Sequence, residues 1–130
     1  MSRTVRTLIA VLGLVSVFAA GIAVGQNKNK YGTPKTLVHL VALKWKAEVS
    51  DADKQKALEG VKTMAAEIPG IKSVWVKTLR VQPQGYNAAF AIEFEDQAAA
   101  DRYREHPSHQ AWEKFYLSLR EESRSHQVTN

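Results

Sequence analysis

Residues 36–46, TLVHLVALKWK, constrain the fold more than any other stretch of the chain. In an extended chain successive side chains point to opposite faces, so Leu37, His39, Val41, Leu43 and Trp45 share one face. Val38, Leu40 and Ala42 share the other. A strand that is apolar on both faces must be covered from both sides. The sheet built around it therefore needs one layer of its own helices and a second cover of some other kind.

The following residues supply the rest of the pattern. Ser50, with Asp53 three positions on, predicts a capped start for the helix DADKQKALEGVKTMAAEI. Within it Leu58, Val61, Ala65 and Ile68 recur at helical spacing and predict one buried stripe. Pro69-Gly70 ends that helix. IKSVWVKTLRV, from Ile71 to Val81, reads as a second strand with Val74 and Val76 on the outward face. YNAAFAIEFE reads as a third strand, with Tyr86, Ala88, Phe90, Ile92 and Phe94 alternating against Ala89, Ala91 and Glu93. Asp96 can cap a second helix, which Pro107 must break or restart. The helical pattern then runs on to Glu122, with Trp112, Phe115, Tyr116 and Leu119 inward. The tail, SRSHQVTN, reads as a weak strand. The order is β-α-β-β-α-β, an α+β, ferredoxin-like arrangement: a four-stranded antiparallel sheet with both helices on one face. Its other face, apolar at Val38, Leu40, Ala42, Val74 and Val76, predicts a homodimer in which two sheets hide one another.

Three segments follow. Residues 1–25 carry Arg3 and Arg6, then an uncharged run from Leu8 to Gly25 closing on small residues, which predicts a signal peptide cleaved before Gln26. An uncleaved membrane anchor is the competing expectation, since eighteen residues lie at the lower limit for a span. Export to a periplasmic or extracellular location follows from the first reading, and tethering through residues 8–25 from the second. Residues 26–35 form a flexible linker, and residues 36–130 the folded domain. With no cysteine among the 130 residues, disulfides and thiolate catalysis are excluded. The formal charge of +5 falls to +3 once Arg3 and Arg6 are removed (5 − 2), and the remaining bases are scattered among acids, so no nucleic-acid partner is implied.

The segment YREHPSHQAW gathers a tyrosine and two histidines around Pro107. Together with VHLVALKWK, IPGIKSVWVK and GYNAAFAIEFE, it resembles the stress-responsive A/B barrel (Dabb) domain over roughly Thr36 to Leu119. The resemblance implies a dimeric α/β barrel. It also implies a relation to plant members that close polyketides by aldol condensation without metal or cofactor. In those, the second histidine of H-P-x-H is the general base and a tyrosine six positions earlier assists, which here are His109 and Tyr103. A first-strand histidine lines the same pocket and matches His39. The third strand departs from the pattern, with Ala88 in place of a further pocket histidine.

The residues themselves leave alternatives open. As N3 of a helix starting at Pro107, His109 meets free N–H groups and a dipole that disfavour a positive imidazolium, leaving the ring able to accept a proton. Tyr103 could then offer its hydroxyl to a developing enolate. The plainer alternative is a structural corner in which His106 caps the second helix segment, His109 bonds a nearby carbonyl, and Tyr103 and His39 are core residues. His39, His106 and Trp112 are candidates for lining a small apolar or aromatic ligand's site. A three-histidine zinc site from His39, His106 and His109 is a third and least favoured option, because Pro107 makes convergence of the H-P-x-H pair awkward and no nearby acid serves behind it; neither metal nor cofactor is expected. Three functions result: a ligand-binding homodimer without turnover, a cofactor-free cyclase or lyase, or a structural assembly protein.

Overall fold

A computed structural model describes the backbone of residues 2–25 and 31–130, and the side chains of these except 17–25. The cleavage point expected before Gln26, and residues 26–30 of the linker, lie outside the described residues. The chain divides into two compact units, Met1–Gly32 and Thr33–Asn130. The first holds α1 (Arg3–Gly25). Among the described residues no helix is long and apolar enough to cross a membrane.

The second unit holds β1 (Leu37–Trp45), α2 (Asp51–Glu67), β2 (Ile71–Trp75), β3 (Ala88–Phe94), α3 (Gln97–Glu105), α4 (Pro107–Leu119) and β4 (Arg120–Val128). Its sheet runs β2-β3-β1-β4 with every pair antiparallel. β1 is central, and its register sets Leu37, His39, Val41 and Leu43 opposite Phe94, Ile92, Phe90 and Ala88. These residues face the helices, and Leu43, Ile92 and Phe94 join Val61 of α2 as the largest fully buried side chains.

Local chemistry fixes the helix ends as expected. The backbone N–H of Asp53 donates to Ser50 Oγ at 3.1 Å. That of Ala99 donates to Asp96 Oδ1 at 2.8 Å. Each satisfies an N-terminal donor that the helix itself cannot. Gly70 closes the turn after α2 with φ 89°, and a side chain there would meet Ala99 Cβ at 2.6 Å. The buried stripe of α2 is Ala57, Val61 and Met64, continued by Ile68 at its C-cap. It is rotated slightly from the expected one, since Leu58 and Ala65 are only half-buried.

Three elements differ from the sequence reading. β2 stops at Trp75, because Thr78 Oγ1 takes over as partner of the β3 backbone: it accepts from Ala89 N at 2.8 Å and donates to Ala89 O at 3.1 Å. In the β2–β3 register Val74 lies opposite the buried Ile92 and Trp75 opposite Ala91. Val74 and Val76 thus pack against the core, and Trp75, 52% exposed, is the β2 residue on the outward face. The tail is a full strand of nine residues, paired with β1 from Val38↔Val128 to Trp45↔Arg120. Its polar sequence has little strand propensity, but the free edge of β1 has backbone groups that need partners, and that demand prevails. α4 accordingly ends at Leu119, three residues before Glu122, with Arg120 already extended.

The outward face is therefore divided. Val38, Leu40, Ala42, Ala89, Ala91 and Trp75 make an apolar centre, with Leu40 42% exposed. β4 adds a polar margin of Glu122, Arg124 and His126 opposite Lys44, Ala42 and Leu40.

α2 and α4 approach closely at Gly60, where an added Cβ would stand 2.6 Å from Trp112 Cδ1. The indole cannot retreat freely, since its Nε1–H donates to Ala57 O at 2.8 Å. Gly60→Ala gains about 1 kcal/mol of helix propensity but overpacks at a cost of about 1–3 kcal/mol. The variant should melt several degrees below the wild type by calorimetry. A melting point raised by the substitution would show that the α2–α4 contact is looser than this.

Candidate functional site

The helical run breaks at Pro107, and the break decides where the two histidines go. In an unbroken helix the N–H of Ser108 would donate to the carbonyl of Arg104. Pro107 prevents continuation, since it has no N–H and fixes its own φ. Each freed group then finds another partner. Ser108 N–H donates to His106 Nδ1 at 3.2 Å. The Arg104 carbonyl pairs with His109 Nδ1 at 3.2 Å. Glu105 O accepts from Gln110 Nε2 at 3.3 Å, and Tyr103 O from the backbone N–H of His106 at 3.2 Å. The corner leaves none of these groups orphaned.

Those bonds set opposite tautomers. A carbonyl can only accept, so His109 Nδ1 carries its hydrogen, and in the neutral ring Nε2 is a bare acceptor. An amide can only donate, so His106 Nδ1 is bare and Nε2 is protonated when that ring is neutral. His109 Nε2 has no protein partner among the described residues and is open at the cavity surface.

That cavity, of about 280 Å³, lies between the helix-facing side of β1 and β4 and the helices α3 and α4. His39, Tyr103, His109 and Trp112 all line it. The Tyr103 and His109 rings are 4.1 Å apart between centroids, and Tyr103 packs edge-on against Phe94 at 5.1 Å. Trp112 and Tyr116 stack at 4.8 Å with planes 7° apart. The Trp112 N–H is committed to Ala57, so the indole lines the cavity without a free donor.

His106 is not brought to this cavity. Its Nδ1 is occupied as the cap of α4, and it is not among the residues that line this cavity. His39 and His109 share the site, but among the described residues no three side chains of His, Asp or Glu are grouped so as to hold a metal ion. His126 sits on the outward face of β4, opposite Leu40.

Burial is the main electrostatic influence. It pushes the Tyr103 phenol well above its ordinary value of 10.0, with the nearby charge of Glu113 adding to the effect. The hydroxyl therefore stays protonated and remains a hydrogen-bond donor at neutral pH. Burial also lowers His39 from its ordinary 6.5, with smaller contributions from His109 and Arg104. Its Nδ1 is buried and unpartnered.

The sequence reading missed the cavity's polar wall. Ser123, Ser125 and Gln127 of β4 line it, as do Arg104, Glu113 and Arg120. Small polar residues at every second position, 123, 125 and 127, were the available signal, and taking the tail for a weak strand concealed it.

A family model for the stress responsive A/B barrel domain matches residues 37–130. Olivetolic acid cyclase of Cannabis sativa is 30% identical over 84 residues, covering 62% of this chain and 83% of that protein. A hydroxynitrile lyase from Passiflora edulis superposes with a TM-score of 0.67 at 15% identity, over 73% of this chain and 93% of that one. A dimeric ferredoxin-like protein of unknown function from Thermobifida fusca does so with a TM-score of 0.65 at 17% identity, over 81% and 100%. These two likenesses establish the shared fold.

A histidine whose folded pKa is depressed stabilises the fold fully above its unfolded value, and that contribution is lost as pH falls through the folded value. For His39, with its ordinary value at 6.5, the wild-type urea midpoint should fall on going from pH 7 to pH 5. His39→Gln should reduce that slope. An identical slope in the variant would mean that His39 is not held neutral.

Proposed function

The chain belongs to the stress-responsive A/B barrel family, and we propose that it is an exported homodimer whose cavity binds a small aromatic or carbonyl compound and moves a proton on it without a cofactor. The convergence of His39, Tyr103 and His109 on one open cavity is the observation that supports this most. A filled barrel would have favoured a purely structural role. The structural duties of the corner do not compete with chemistry, because His109 uses Nδ1 to hold the turn and keeps Nε2 for the ligand.

In the proposed step a C–H bond beside the ligand's carbonyl breaks. The proton goes to His109 Nε2, and the electron pair moves onto the carbonyl oxygen as an enolate. Tyr103, protonated because it is buried, donates a hydrogen bond to that oxygen. The enolate can attack a second carbonyl of the same molecule, forming a C–C bond, and the proton on His109 returns to the new alkoxide. The olivetolic acid cyclase likeness supports this class of reaction.

Dimerisation rests on the apolar centre of the outward face, with Leu40 and Trp75 exposed beside Ala42, Ala89 and Ala91. The dimeric relative of the same fold is in keeping with it. Export rests on Arg3, Arg6 and the uncharged run from Leu8 to Gly25, with cleavage before Gln26 leaving a free domain.

Propiophenone in D₂O, followed by NMR, reads the chemistry directly. Wild-type protein should speed exchange of its α-hydrogens. His109→Gln, which can still bond Arg104 O, should lose about 10²-fold or more of that rate while melting near the wild type. Tyr103→Phe should lose about 10²-fold. Exchange retained in both variants would show that His109 and Tyr103 do not move the proton, and no acceleration by the wild type would reduce the cavity to a binding site without turnover. For the interface, Leu40→Glu should give a folded monomer by sedimentation at micromolar concentration, against a wild-type dimer. A monomeric wild type would remove the paired barrel.

A further inference from the structure

The cavity carries a charge imbalance that proton transfer leaves unused. Its lining includes two arginines, Arg104 and Arg120, against one acid, Glu113. Among the described residues neither arginine is ion-paired with a carboxylate. Apart from the imidazoles, the lining therefore has one unmatched positive charge (2 − 1). Arg120 is held in place rather than loose: it donates to Ser123 Oγ and lies over the Tyr116 ring at 5.5 Å. Arg104 belongs to the corner itself, its carbonyl bonded to His109.

The same lining carries aromatic rings: Trp112 stacks on Tyr116, and Phe90 stands edge-on to Trp112 at 5.7 Å. The lining thus offers ring surfaces for a planar group and guanidinium groups for a single negative charge. Guanidinium groups match the two oxygens of a carboxylate better than a point charge would. We propose that the cavity selects a planar ligand bearing a carboxylate, with its ring among the aromatic side chains of the lining and its carboxylate at Arg104 and Arg120. This rests on the reading of the cavity as the ligand site and adds the ligand's charge class to it. The arginines select among ligands and take no part in the proton transfer.

Calorimetric titration with 1-naphthoate and with its neutral analogue 1-naphthylmethanol separates the two levels. Naphthoate should bind the wild type about tenfold more tightly than the alcohol, because a charge-assisted hydrogen bond is roughly twice as strong as a neutral one. Arg120→Gln and Arg104→Gln should each cut naphthoate affinity several-fold and leave the alcohol unchanged. Arg104 is exposed, so its variant should fold even if the Arg120 variant does not. Equal binding of both probes, or a preference that survives both substitutions, overturns the carboxylate inference and leaves the ligand site standing. If neither probe binds, the ligand-site reading falls and this inference with it.

Discussion

The hydrogen bond from His109 Nδ1 to the Arg104 carbonyl, 3.2 Å long, is the contact on which the site depends. It exists because Pro107 forbids the backbone bond that would otherwise consume that carbonyl. The same substitution of side chain for backbone occurs at His106 and Ser108. Together the two bonds let α3 and α4 meet at a corner without unsatisfied groups. They also turn a structural need into chemical polarity, since the nitrogen left over on His109 is an acceptor and the one left over on His106 is a donor.

The sheet then supplies the two environments that β1 demanded. On the helix side, β1, β3 and β4 meet α3 and α4 around the cavity, with His39 placed between Ile92 and Gln127. On the outward side, apolar residues of β1, β2 and β3 border a charged β4. Residues of β1, β3, β4, α3 and α4 suffice to line the cavity. Its existence thus depends on how α3 and α4 close over the sheet, while pairing of two sheets concerns the opposite face.

Much of this was legible in the sequence because it is governed by local rules. Alternation fixed the face of His39, Ser50 and Asp96 announced their helices, and Pro107 announced the corner. What escaped depended on partners distant in the chain. β4 has little intrinsic preference for extended structure, and only the open edge of β1 makes it a strand. Val74 and Trp75 were exchanged between faces because the β2–β3 register is shifted between Ile71 and Ser73. An irregularity of that kind reverses every side chain beyond it. With β4 unread, Ser123, Ser125 and Gln127 had no place in the site, and the basic lining of the cavity went unseen.

Nitrogen-15 NMR of the histidine rings at neutral pH tests the central claim most directly. The account predicts opposite tautomers on either side of Pro107: His109 protonated at Nδ1 with Nε2 bare, and His106 protonated at Nε2 with Nδ1 bare. Protonation of His109 at Nε2 alone would contradict it, because the corner could then no longer leave an acceptor facing the cavity.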